Sequence, residues 1–277
     1  MGVPTRPAWW RELTLLGATY GLYTLTRNTL PTQVQQARDN ALTLYHLEQR
    51  LRLAPERAVN AFAVAHHPLA VLSDYLYATA HFTVTLAVLV WVYAARAPAY
   101  RAARTILLWA TLLGLVGFWL YPLAPPRFFP EAGFVDTVVR DGTWGSWGSE
   151  TITSVSNQYA AMPSAHVAWS VWCAATVALL ARRRAVRALI IGYPVVVLAV
   201  VLATANHWLA DAAGGVAAVA GGVALWWSAR LLATRGRRTR SDRDQLPWAP
   251  AVANGEGDAH ANAAAVLAGT RTRDRPH

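Results

Sequence analysis

Apolar residues in this chain come in long blocks, set apart by short stretches rich in arginine. A bilayer core takes about 20 mostly apolar residues per helix. Six blocks reach that scale: Trp9 to Leu25, Pro68 to Ala94, Thr105 to Tyr121, Pro163 to Ala181, Val186 to Ala205 and Trp208 to Leu232. None alternates in polarity as a barrel strand would. Backbone groups in lipid must be satisfied within their own segment, so each block predicts a helix. The expected fold class is all-α: an integral-membrane bundle of six transmembrane helices. The first block is too long for a secretory signal peptide and lacks its small-residue cleavage site.

The polar stretches between the blocks are uneven. The segment from Arg27 to His67 contains "LTLYHLEQRLRL", an amphipathic pattern that predicts a helical segment lying along the membrane surface between the first two spans. Pro122 to Ala161 forms a long loop between the third and fourth spans, carrying "PLAPPRFFP" and "GTWGSWGS". Loops of this length are usually functional or disordered, and its aromatic residues favour packing at a membrane interface. From about Arg235 the chain is polar and rich in Ala, Gly and Arg, which predicts disorder. The expected organisation is a membrane-embedded domain over 1–234 and a disordered cytoplasmic tail over 235–277.

Arginine placement sets the expected orientation. Arg96, Arg101 and Arg104 follow the second block, and Arg182, Arg183, Arg184 and Arg187 follow the fourth. Arginines from Arg230 to Arg243 follow the last block, whereas the junction before it has none. Basic loops stay in the cytoplasm. Both termini are therefore expected inside a multi-pass cell-membrane protein, with the long loop outside. Arg27, Arg38, Arg50, Arg52 and Arg57 run against that rule, partly offset by Asp39, Glu48 and Glu56.

Composition agrees with a membrane protein. Hydrophobic residues make up 55% and charged ones 14%, against about 25% charged in a soluble domain. The net charge of +10 raises the question of a nucleic-acid partner. The arginines flank apolar blocks instead, with no recognition motif or aromatic platform, so no nucleic acid is expected. The single cysteine, Cys173, excludes an internal disulfide and any cysteine-based zinc site, and its apolar surroundings predict a small buried residue.

Two segments carry candidate chemistry: "MPSAHVAWS", residues 162–170, and "NHWLADAAGG", residues 206–215. Two passes separate them, so the expected topology returns the chain to one membrane face. That face would hold Arg127, Ser164, His166, His207 and Asp211. Pro163 suits the first turn of a helix, whose amino end attracts an anion. Ser164 adds a hydroxyl donor. His207 and Asp211, four apart, should share one face of the sixth helix. The carboxylate can then hold one imidazole nitrogen and leave the other to act. Arg127 offers a fork that matches phosphate oxygens. The set points to phosphoryl transfer through a histidine nucleophile.

Other readings stay open at this point. His166 could be an interfacial helix-end residue, and His207 with Asp211 a structural pair. A metal could be shared by a histidine and an aspartate four apart, but no dense set of further ligands accompanies them, so no metal is expected. A non-catalytic transporter or scaffold could use the same polar residues to line a pathway, though no internal repeat accompanies them. Asp74 and His81 in "SDYLYATAHF" are seven apart and should share a helix face, as a buried pair bridging helices or as a headgroup or acceptor contact. Gly17 and Gly21 in "GATYG" predict close helix packing.

With these residues the chain resembles the type 2 phosphatidic acid phosphatase superfamily of membrane phosphatases and phosphotransferases. "MPSAHVAWS" matches its Pro-Ser-x-His motif and "ANHWLADAAGG" its His-x-x-x-Asp motif, and the likeness covers roughly Trp9 to Leu232. Where that family has a lysine seven residues before Arg-Pro, this chain has Leu120, and Phe128 follows Arg127. The context "YPLAPPRF" is more similar to the branch related to inositol phosphorylceramide synthases, which points to transfer to an alcohol such as inositol. The resemblance implies that His207 attacks phosphorus and becomes phosphohistidine and that Asp211 orients it. It implies that His166 protonates the leaving oxygen and then activates the acceptor, while Arg127 and Ser164 hold the phosphoryl oxygens of a lipid phosphate or phospholipid. It implies no metal or cofactor.

Overall fold

The structure, a computed structural model, describes residues 6–29, 33–143, 159 and 161–244. Among them are nine α-helices and two 3₁₀ turns, and no strand. The helices are α1 (Trp9–Thr29), α2 (Val34–Arg50), α3 (Glu56–Ala65), α4 (His67–Ala95), α5 (Ala97–Leu120), α6 (Thr137–Asp141), α7 (Ala165–Leu180), α8 (Arg184–Ala203) and α9 (Leu209–Asp244). The all-helical class matches the expectation. The predicted loop pattern "GTWGSWGS" falls mostly within 144–158, and most of the predicted tail within 245–277; both lie outside the described residues. The chain divides into two units, 1–228 and 229–277, the second continuing α9 to Asp244.

Among the described residues, four helices are long and apolar enough to cross a membrane: α4, α5, α8 and the Leu209–Arg235 part of α9. They mark a membrane protein. The 16 residues of α7 are apolar but fewer than a bilayer core takes. In α1 the length suffices, but Arg11, Glu12, Arg27 and interspersed threonines and tyrosines lower its apolar character.

Side-chain bonds to backbone carbonyls bind the helices into two ends. At one end Arg6 donates to the Ala94 carbonyl at 2.6 Å, and the Tyr93 hydroxyl to the Pro7 carbonyl at 2.8 Å. There too, Arg96 Nε donates to the Leu180 carbonyl at 2.9 Å. The start of α1, the α4–α5 junction and the α7–α8 junction therefore meet, and the arginines of both junctions collect there. The buried Glu12 joins α1 to α5, receiving Arg104 Nη1 at 2.6 Å and the Tyr100 hydroxyl at 3.1 Å. Between the ends, α4, α5 and α7 close around Val92, Leu107, Trp172 and Cys173. Trp172 donates its indole N–H to the Ala103 carbonyl at 2.9 Å, and Cys173 is buried as expected.

The close approaches come from glycines other than those expected. A β-carbon on Gly17 or Gly21 would meet nothing within 4 Å, so "GATYG" makes no tight helix contact. Gly215 and Gly222 do. A β-carbon at Gly215 would lie 2.6 Å from the Ser164 carbonyl, and one at Gly222 2.8 Å from that of Ile106. Seven residues apart, they lie on one face of α9, where it seats against α7 and α5.

At the other end, α2 and α3 cover the bundle. The expected amphipathic helix is present, but its buried positions Ala37, Ala41, Tyr45 and Glu48 face protein. The first three pack on Leu123, Ala124, Phe129 and Trp208. Asn60 of α3 ties three segments together: it donates to the Ala203 and Val135 carbonyls at 2.8 and 3.0 Å and accepts the Val135 amide at 2.9 Å.

Candidate active site

Ser164 starts α7. Its Oγ accepts the Val167 amide at 3.3 Å, the usual bond of a helix-capping serine. The helix therefore begins at Ala165, and Pro163 lies before it instead of in its first turn. Pro163 packs against Gly117 and Gly214. The buried Ser164 keeps its hydroxyl hydrogen for another acceptor. Its amide donates to the Asp211 carbonyl at 2.9 Å, joining the two motif segments through the backbone.

His207 also differs from expectation. The last helix starts at Leu209, so His207 lies just outside it. Even so, its Nδ1 lies 3.1 Å from Asp211 Oδ2. Asp211 turns back because the same oxygen accepts the Trp208 amide at 2.9 Å, as a third-position acid does in a capping box. Trp208 is held in turn: its indole N–H donates to the Ala124 carbonyl at 2.8 Å, and Tyr45, Phe129 and Phe134 surround its ring. His207 is 5% exposed, and its Nε2 is buried with no hydrogen-bond partner among the described residues. With Nδ1–H donated to Asp211, that nitrogen carries the lone pair.

His166 is the second residue of α7. Its ring centroid is 5.5 Å from that of His207 and 4.0 Å from that of His81. It stacks on Tyr77 at 4.2 Å, with Nε2 3.2 Å from the Tyr77 carbonyl. The hollow behind His81 and His166, walled by α8, holds about 40 Å³, room for water but not for a headgroup. His81 thus joins the histidine cluster, and Asp74 does not. Asp74, fully buried, accepts the hydroxyls of Thr137 at 2.5 Å and Thr143 at 3.1 Å, fastening α6 to α4.

Arg127 lies in the 3₁₀ turn Pro126–Phe128. Its amide donates to the Ala205 carbonyl at 2.9 Å, two residues before His207. Its guanidinium donates to Asn206 Oδ1 and pairs with Asp136 Oδ2 at 3.4 Å. The structure therefore brings Arg127, Ser164, His166, His207, Asp211 and His81 to one end of the bundle. Sequence reasoning missed Tyr77, Trp208, Asn206 and Asp136; the first three lie inside the quoted motifs, but no spacing distinguished them. It also missed Glu48 and Glu56, which cap the first turn of α9. Among the described residues no group of three or more His, Cys, Asp or Glu side chains could hold a metal ion.

A buried imidazole oriented by a carboxylate, beside a second histidine and an arginine, can attack an electrophilic centre and exchange a proton with its leaving group. No curated protein and no solved structure matches the chain. The sequence pattern of the PAP2 superfamily matches residues 42–225, a stretch that runs from α2 into α9 and contains every residue of this cluster. The chain belongs to the PAP2 superfamily.

Proposed function

We propose that this protein is a membrane-bound phosphoryl-transfer enzyme acting on lipid-linked phosphate through a phosphohistidine intermediate. The observation that carries the reading is the pairing of His207 Nδ1 with Asp211 while Nε2 is buried with no hydrogen-bond partner among the described residues. Nε2 attacks phosphorus and the bond from phosphorus to the leaving oxygen breaks. His166 gives that oxygen a proton. It then takes a proton from water or an alcohol, whose oxygen attacks the phosphohistidine and frees His207. Asp211 holds the Nδ1 proton and offsets the positive charge on the ring, as an aspartate does in hydrolase triads. Ser164 and Arg127 hold the phosphoryl oxygens, and no metal takes part in these steps.

The finer reading follows "YPLAPPRF": transfer of the phosphoryl-linked group to an alcohol such as inositol, beside hydrolysis. We also place six spans in the membrane, α1 and α7 included, with both termini cytoplasmic and the site at the extracytoplasmic face. Arginines gathered at the end opposite the site support this.

The test is turnover of a panel of lipid phosphates and phosphodiesters by purified protein in chelator, with and without inositol. Acid-labile phosphoenzyme should accumulate at early times. Activity that disappears on chelation, or no labelled protein with any substrate, refutes the mechanism.

A further inference from the structure

We propose that Glu48 and Glu56 are positioning residues for this reaction: a carboxyl pair sharing one proton, which clamps the first turn of α9 and so holds Asp211 and His207 in place. The inference rests on His207 being the nucleophile.

The first amides of a helix have no partner within it. Here two of them are taken from distant helices. Leu209 N–H donates to Glu56 Oε1 at 2.7 Å and Ala210 N–H to Glu48 Oε1 at 2.8 Å. Glu56 is 0% exposed and Glu48 5%. A buried glutamate needs a reason to be there, and capping one amide leaves half of each carboxyl group unexplained. The second oxygen of each, Oε2, is buried and has no donor among the described residues.

Neighbouring amides hold the two carboxyl groups side by side, and carboxylates so placed repel if both are ionised. The charges around them do not relieve this. From α9 the pair faces Asp211, a third carboxylate. Tyr121, after α5, stays neutral because burial and Asp211 push its phenol up. Arg52 and Arg57 line the neighbouring hollow of about 820 Å³, but neither forms an ion pair among the described residues. Arg127 is engaged by Asp136 and Asn206, and His207 by Asp211. A proton on Glu48, donated to Glu56, supplies the missing donor and removes the repulsion. One negative charge then remains beside the positive end of the α9 dipole, where it is stabilising.

Burial accordingly raises Glu48 to about 8 and raises Glu56 from its ordinary range. An acid raised in the folded state favours its protonated form. The stability this lends is full below the ordinary value of 4.5 and is lost progressively as pH rises to about 8. Above that the clamp carries two charges beside Asp211, and α9 loses its hold on the nucleophile.

The experiment compares Glu48→Gln with Glu48→Ala, reading kcat and KM across pH with a short-chain lipid phosphate and the carbonyl stretch of protonated carboxyl groups by infrared difference spectroscopy. Glutamine can still accept the Ala210 amide and donate to Glu56. Glu48→Gln should fold, keep activity near neutral pH, lose the alkaline fall near pH 8 and lack one carbonyl band. Glu48→Ala should lose about tenfold, chiefly in kcat, with an amide left unpaired. An unchanged alkaline fall, an unchanged band that titrates near pH 8, or equal activity of the two variants overturns the proposal. A wild-type protein that turns over no lipid phosphate refutes the reaction itself, and the band still decides whether the proton is shared.

Discussion

The amide of Ser164 donates to the carbonyl of Asp211 at 2.9 Å, so the two motif segments touch through their backbones before any side chain meets. That contact needs a helix without a side chain at Gly215, one turn beyond Asp211. Gly215→Ala should destabilise the protein by about 1–3 kcal/mol, as overpacking does, because the obstructing atoms are backbone. Activity should fall further than stability, since the histidines separate. Gly17→Ala, where the space is open, should be neutral or slightly stabilising. Thermal denaturation of both variants in one detergent checks the contrast.

The two histidines should fail in different ways. His207→Ala should form no phosphoenzyme from any substrate. His166→Ala should still phosphorylate His207 from a nitrophenyl ester, whose leaving group needs little protonation, and should fail with a lipid alcohol. Loss of a general acid costs roughly 10² to 10⁴ in rate. Rapid-quench trapping decides it, and the opposite pattern would exchange the two roles.

Asp74 should behave as an anchor. Asp74→Asn can still accept from one threonine and should keep most activity. Asp74→Ala leaves the Thr137 and Thr143 hydroxyls without their acceptor and should cost about 2 kcal/mol. Substrate affinity should change less than stability. A large rise in KM with unchanged stability would instead make Asp74 a substrate contact.

Sidedness is testable because Cys173 is buried and slow to label. A cysteine at the exposed Glu131, near the site, should react with an impermeant reagent on intact cells. One at Arg183 should react only after lysis. Reversed labelling would put the site on the cytoplasmic side.

Much of this arrangement could be read from local pattern. Hydrophobic blocks gave the long helices because a bilayer core demands length and apolarity together. Boundaries shifted where side chains intervened: α8 ends at Ala203, where Thr204 turns its hydroxyl back to Val200 at 3.0 Å. His207 and Asp211 met as expected, though through a capped loop and not along a helix. Glu48 was invisible, since on an amphipathic helix a glutamate reads as part of the wet face. Its partner amide is 162 residues away. Asp136 is a helix cap by local pattern, its Oδ1 accepting the Val139 amide at 3.2 Å, but its pairing with Arg127 through the other oxygen carried no local signal. The glycine contacts were misjudged for the same reason: small-residue spacing shows where a helix can be approached, not what approaches it.

One oxygen of Asp211 receives both the His207 ring and the Trp208 amide. Starting the helix and aiming the imidazole are therefore a single event. With His207 as the proposed nucleophile, a molecule whose α9 has frayed by a turn would have an unaimed imidazole, not a weakened one. Preparations of intermediate specific activity should then be mixtures of fully competent and silent molecules. Active-site titration should find fewer sites, each turning over at the full rate.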